Sequence, residues 1–441
     1  MLIKNTLTHN SIVISIIGII SRGSNILVPV SILRVFGMSL ATDLLFLTFT
    51  ALNLLTLIST NSIQAIIVPH IAKIKAAKLN INMFINSVLW FSTLAICILY
   101  IILSGLAEFT SIHSIHLRLV QTYLNLNIFL SIALLLALLS IWQAALTGLL
   151  NFNKKFIIST LAPVLRTITT VASIHIFGDR FGINSALYGY VCGDLLITVF
   201  LIISVITKCK FCFKFTLTPP NGGSEFYKSS LLFMVVAGIT ALNPFIDTAF
   251  ALSIAPKCAS ALHIALAITL TAQGLLIFGY NTILPSHWSE KLTLNKTTNL
   301  YIEAKELSKK LLPITLLLCC MLFISSPYIA HGVTMFNSNI SSIDENRIAL
   351  LIAIYSFTLI PCVAITAYSR CYLVYNKIGT LLQINSIRFC VNILLNLVGV
   401  MWLGIQGIVI ATVLHSFLTA ALMIIASKNQ SLRLKELNDG I

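Results

Sequence analysis

Charge is what this chain has least of. Only 9% of its 441 residues are Asp, Glu, Lys or Arg, against about 25% in an ordinary soluble domain, and just 13 are acidic. Hydrophobic residues make up 58%, and the mean hydropathy is +0.97. A water-facing globule of this length cannot bury that much apolar surface, so the composition excludes a soluble fold and points to a polytopic membrane protein. The chain has no GxxxxGK[ST] loop, so it has no means of its own to spend ATP. It has no HExxH and no GxSxG, which removes the common metal-protease and serine-hydrolase chemistries. Its ten cysteines sit mostly inside apolar runs, where Cys behaves as a small hydrophobe. The one CxxC, Cys209 and Cys212, lacks the second pair that a zinc site needs and reads as part of a reduced cytoplasmic loop. No small-residue cleavage site follows the first apolar run, so it reads as a span and not a signal peptide.

What the chain does have is long apolar runs. A helical span needs about 20 residues, and twelve runs qualify: 11–31, 44–68, 84–105, 123–150, 157–177, 185–206, 229–252, 259–284, 311–332, 348–373, 380–402 and 405–426. They are continuous and do not alternate, which selects helices over a barrel. Of the 28 Lys and Arg, 20 fall on one side of the alternating spans, 5 on the other (Arg34, Arg118, Arg180, Lys257, Arg347) and 3 inside spans (Arg22, Arg166, Arg388). By the positive-inside bias both termini are expected in the cytoplasm. The net charge of +15 is therefore a topology signal and does not mark a nucleic-acid surface.

The chain also repeats itself. NFNKKF after the fourth run matches VYNKIG after the tenth. Arg166 follows the first and Arg388 the second, and each stands 16 residues before a Gly-Ile pair, Gly182-Ile183 and Gly404-Ile405. The second run ends IIVPH and the eighth TILPSHW. This predicts two six-helix halves in parallel orientation: a bundle over 1–206, a cytoplasmic linker over 207–228 and a second bundle over 229–441 with a short cytoplasmic tail. Repeated halves around a central site are a transporter signature. The external segments are short, the longest near 107–122 and 333–347, which disfavours a glycan polymerase or ligase.

Ionised groups cost about 2.5–3.5 kcal/mol each on membrane-insertion scales, so Arg22, Arg166 and Arg388 call for a reason. So does Asp43, at the head of the second run. It can cap that helix together with Thr42, or pair at the external mouth with Arg34 or Lys257 and so act as a gate.

The stretch IISRGSNILVPVSILRVFGMSLATDLLFLTFTALNLL (19–55) resembles the first two spans of the MurJ/MviN lipid II flippases, members of the superfamily of multidrug and oligosaccharidyl-lipid exporters that includes the MATE transporters. GLLNFNKKFIISTLAPVL (148–165), IDTAFALSIAPKCASAL (246–262), QGLLIFGYNTILP (273–285) and LNLVGVMWLGIQGIVIATVL (395–414) extend the likeness over nearly the whole chain. Five positions depart from it: Val28, Leu266-Ala267 and Thr56-Leu57 stand where the family usually has charged residues. The chain also has twelve spans where the family's lipid II members tend to have fourteen.

The resemblance implies an all-α fold of twelve helices of the MATE-like type. It implies a flippase of the bacterial cytoplasmic membrane, not an enzyme, that carries an undecaprenyl-pyrophosphate-linked glycan by alternating access, in first place a lipid II-like precursor of peptidoglycan. An O-antigen or exopolysaccharide repeat-unit flippase is the alternative, with a drug or cation antiporter behind it. Arg suits pyrophosphate through its bidentate fork, so Arg22, Arg166 and Arg388 are the expected substrate ligands. In some family members sodium is held by residues whose counterparts here are Asp247, Asn392, Asn396, Ile408 and Thr412. That implies an optional monovalent cation, Na+ or another, with a direct Asp247–Arg388 ion pair as the competing arrangement. No cofactor is required. The implied partners are the lipid-linked glycan, membrane lipid and the cell-wall or polysaccharide enzymes that supply the glycan, and the chain is expected to be a monomer.

Overall fold

A computed structural model of the chain describes residues 18, 21, 23–113, 126–217, 223–294, 299–335, 340–375 and 377–439. Among these residues every regular element is a helix. A short 3-10 turn, Ser24–Ile26, leads into α1 (Leu27–Phe36). There follow α2 (Leu40–Ala76), α3 (Ile81–His113), α4 (Leu126–Phe152), α5 (Phe156–Phe181), α6 (Asn184–Cys209), α7 (Gly223–Ile254), α8 (Cys258–Leu294), α9 (Leu300–Thr334), α10 (Ser342–Ser356), α11 (Leu359–Val374), α12 (Ile378–Leu403) and α13 (Ile405–Asp439). Ten of these helices contain a stretch long and apolar enough to cross a membrane, and α10 and α11 together make an eleventh candidate. The first apolar run is represented by α1, which continues to Phe36, five residues past the expected end at 31.

Two features differ from the apolar runs. The helices outlast them: α2 starts at Leu40 and carries Lys73 and Lys75 in its last turn, and α5 carries Arg180 in its last turn. Hydropathy marks the stretch that suits lipid, and the hydrogen-bonded helix continues into the polar zone beyond it. The tenth run, expected as one span, is bent by 46° between α10 and α11. Pro361 accounts for this. It has no N–H for the Phe357 carbonyl four residues back, and its ring would collide with that carbonyl. The chain tightens instead, with Phe357 N–H donating to Ile354 O at 3.2 Å and Thr358 N–H to Tyr355 O at 2.9 Å.

The repeat has a backbone counterpart. Gly182 (φ 56°) and Gly404 (φ 58°) both adopt the left-handed conformation, each turning one helix into the next within a residue or two. At the second turn the helices then press together through glycine. A Cβ on Gly407 would lie 2.0 Å from the Gly399 carbonyl oxygen, so only glycine allows α12 and α13 to approach this closely.

Contacts gather the chain into two compact units. One comprises 1–50, 170–187 and 239–441, and the other 51–169 and 188–238. In the first unit a core of α1, α8, α9, α10, α11 and α13 side chains includes Leu33, Leu262, Ile352 and Ile408. In the second unit α3 packs on α4. Asn86 pins the start of the linker there, donating to Cys212 O at 2.9 Å and accepting from Lys214 N–H at 3.0 Å.

Candidate functional site

Within the first unit, Asp43 at the start of α2 is wholly buried. Thr42 closes the turn before α2 locally, its hydroxyl accepting from Ser39 N–H at 2.8 Å. Asp43 instead caps a different helix. Its carboxylate accepts from the backbone N–H of Lys257 (2.6 Å) and of Ser260 (2.8 Å), and from the Ser260 hydroxyl (2.5 Å), at the start of α8. Free N–H groups and the positive end of the helix dipole make such a terminus a natural seat for a carboxylate. The Lys257 ammonium goes elsewhere, to Asp344 at 2.9 Å. Lys257 has φ 76°, a strained value for a side-chain-bearing residue, held by one acid on its N–H and another on its ammonium. Arg34 lies exposed in the last turn of α1.

Also in the first unit, the five residues of the implied cation set come together. Asp247 on α7 is 5% exposed. Its Oδ1 accepts from Asn392 Nδ2 at 3.0 Å and Asn396 Nδ2 at 2.6 Å, and its Oδ2 from the Thr412 hydroxyl at 3.2 Å. That hydroxyl is also 3.0 Å from the Ile408 carbonyl. Spacing by four puts each pair on one helix face, Asn392 with Asn396 on α12 and Ile408 with Thr412 on α13. The amide oxygens of both asparagines are buried with no hydrogen-bond partner. An Asn amide turned about its last bond exchanges nitrogen for oxygen. The set can therefore offer two carboxylate oxygens, two amide oxygens, a hydroxyl and a carbonyl, an all-oxygen group of the kind hard cations prefer. The residues fit a monovalent cation. Asp247 and Arg388 lie close enough for their charges to attract, but the guanidinium makes its hydrogen bond elsewhere. One turn before Asn392, Arg388 donates from Nε to His415 Nδ1 at 3.2 Å.

Arg166 lies in the second unit and is tied down. Its Nε and Nη2 donate to one oxygen of Asp194 at 2.9 and 2.5 Å, and its Nη1 donates to the Tyr190 hydroxyl at 3.3 Å. Tyr190 in turn donates to Asn53 Oδ1 at 2.7 Å. Gln143 Nε2 reaches the Asp194 carbonyl and Thr198 Oγ1, both at 3.1 Å. Asp194 is 2% exposed. α5 can bring Arg166 this close to α6 because residue 193 is glycine: a Cβ there would lie 2.7 Å from the Arg166 Cα. Arg22 lies outside the described residues.

Sequence reasoning missed Asp194, His415, Ser260 and Asp344. The rule that singled out the intramembrane arginines applies equally to Asp194, an acid inside the apolar run VCGDLLITVF. Ser260 carried no such signal.

Many solved structures share the fold, and three illustrate it. A structure of the lipid II flippase MurJ in an inward closed conformation aligns with TM-score 0.73 at 19% identity, covering 96% of this chain and 90% of that one. An inward-facing multidrug resistance MATE family transporter of the MOP superfamily aligns with TM-score 0.67 at 16% identity, covering 94% and 95%. A MOP superfamily transporter from Pyrococcus furiosus, described by the reversed polarity of its binding pocket, aligns with TM-score 0.61 at 15% identity, covering 96% of each chain. No curated protein matches the chain in sequence. The helical architecture thus has the multi-pass fold that these transporter structures share. More narrowly, the family model "Lipid II flippase MurJ" matches residues 32–438, and the chain belongs to that family.

Proposed function

We propose that this chain flips a lipid II-like glycan, carried on undecaprenyl pyrophosphate, across the bacterial cytoplasmic membrane by alternating access, with both termini in the cytoplasm. The observation that carries the reading is the match of the lipid II flippase family over 32–438, nearly the full chain. The fold's chemistry supports it. The glycan and pyrophosphate must cross hydrocarbon while the polyprenyl tail stays in lipid, so a fixed cation inside the spans is needed for the phosphates. Arg388 takes that part, because Arg166 is already consumed by Asp194 and Tyr190. The two six-helix halves, 1–206 and 229–441 with 207–228 between them, are the rocking bodies. Asp43 and Lys257 hold the external mouth shut. Asp247, Asn392, Asn396, Ile408 and Thr412 would hold a monovalent cation, which supplies positive charge to a buried carboxylate. The chain works as a monomer beside the cell-wall enzymes that make and use its cargo.

The test is reconstitution into liposomes with fluorescent lipid II, following how much becomes accessible to an impermeant reagent. Wild type should translocate, and Arg388→Ala should fall to the protein-free rate while remaining folded. A wild-type rate in Arg388→Ala would refute the assignment of Arg388. No translocation by the wild-type chain, alongside transport of a surface-polysaccharide lipid, would refute lipid II as cargo.

A further inference from the structure

The two repeat-related arginines are held in chemically opposite ways. Arg166 meets a carboxylate, which takes Nε and Nη2 together while Tyr190 takes Nη1. Its charge is cancelled and its fork is occupied. Arg388 meets an imidazole, through Nε alone. The Asp247 carboxylate is near enough for its charge to be felt, but among the described residues Arg388 makes no other hydrogen bond, so both Nη groups, the outer tines of the fork, keep their donors for an incoming group. An anion such as pyrophosphate needs an arginine that is oriented and still charged, and a neutral acceptor on Nε provides both.

The same contact fixes the state of the histidine. A guanidinium can only donate, so His415 Nδ1 must be an unprotonated acceptor. The neutral ring then carries its proton on Nε2, an atom that is buried and has no partner. His415 is fully buried on α13, so the ring has little freedom to turn away. A doubly protonated ring would set two positive groups face to face with no acceptor between them.

We propose that His415 is the positioning residue for pyrophosphate binding: as the neutral Nε2–H tautomer it holds the Nε edge of Arg388 and leaves the Nη pair to the phosphates. This deepens the flippase reading and rests on Arg388 as the headgroup cation.

The test uses the purified full chain and inorganic pyrophosphate, with binding measured by calorimetry. His415→Gln keeps an acceptor oxygen and should bind within about twofold of wild type. His415→Leu removes the acceptor and should weaken binding about tenfold, within the usual range of coupling between neighbouring groups. Wild-type affinity in His415→Leu, or an equal loss in His415→Gln, overturns the positioning role. A second readout does not depend on how well the Leu variant folds. Nitrogen NMR of histidine-labelled wild type, with His415 assigned by its absence from His415→Gln, should show the Nε2–H tautomer, and a proton on Nδ1 overturns the proposal. Arg388→Gln separates the two levels. If it binds pyrophosphate like wild type, the headgroup assignment itself has failed; if it loses binding while His415→Leu does not, only the positioning role has failed.

Discussion

Asp43→Ala is the perturbation with the clearest expected size. Asp43 is completely buried and accepts three hydrogen bonds, two of them from backbone N–H groups at the start of α8. Alanine removes every acceptor and leaves the Lys257 and Ser260 N–H groups unsatisfied, at about 1–3 kcal/mol each when water cannot replace the lost partner. The position is at a helix end, where water can enter on slight opening, so the lower half applies and the expected loss is about 3 kcal/mol, somewhat above a typical N-cap deletion. Asp43→Asn keeps one oxygen and turns an NH2 toward the other donor, so it should lose about half as much. The assay is unfolding of the purified protein in detergent against wild type, with Lys257→Met as a comparator that removes only the ammonium–Asp344 contact. The order of stability should be wild type, then Asn, then Ala. If Asp43→Ala unfolds with wild type, the cap carries no weight and the argument from buried acceptors is wrong. If Asp43→Asn is as damaging as Asp43→Ala, net charge matters and hydrogen bonding does not.

Two further outcomes follow from the buried charges. Arg166→Met strands the Asp194 carboxylate in the second unit and should cost about 3–5 kcal/mol, while Arg166→Met with Asp194→Leu should recover most of it, because a buried pair replaced whole by apolar groups is often neutral; a double variant no better than the single in a thermal melt would contradict this. Sodium should stabilise the wild-type chain by about 2.7 kcal/mol at a hundred times its dissociation constant, and Asp247→Asn should abolish that gain; a melting curve indifferent to sodium, potassium and lithium in the wild type would remove the cation site.

The fold was legible wherever one residue's environment is decided by lipid. A continuous apolar run has few fates, so the position of each described span followed from hydropathy. Gly182 and Gly404 could be matched from spacing alone, and both have the positive φ that a tight helix-to-helix turn demands. What hydropathy could not give was helix length, since Lys73, Lys75 and Arg180 continue helices outside the apolar window. Nor could it give the break at Phe357–Thr358, because a proline inside an apolar run can be absorbed as readily as it breaks a helix. Pro163 in α5 and Pro244 in α7 lie inside unbroken helices.

The site was legible only in part: Asp43, Lys257, Arg166 and Arg388 drew notice in the sequence, but Ser260, Asp344, Asp194 and His415, which hold them, did not. Asp247, Asn392, Asn396, Ile408 and Thr412, the set that the family resemblance implied, converge. Asp43 was visible as an acid that needed a partner, yet its partner is the backbone of a helix more than 200 residues away, and a backbone N–H has no letter in the sequence. The arginines carry this furthest. Arg166 and Arg388 occupy the same place in the repeat, 16 residues before their glycines, and by sequence alone they invite the same role. Their difference lies on the following helix, where Asp194 faces one and His415 faces the other. A carboxylate there turns an arginine into an internal strut, and an imidazole leaves it a charged hand. Exchanging the two partners, Asp194→His together with His415→Asp, would then move the available charge from the second half to the first. That is why the function of an intramembrane arginine is read from what holds its Nε, and its presence in a span tells only that something must.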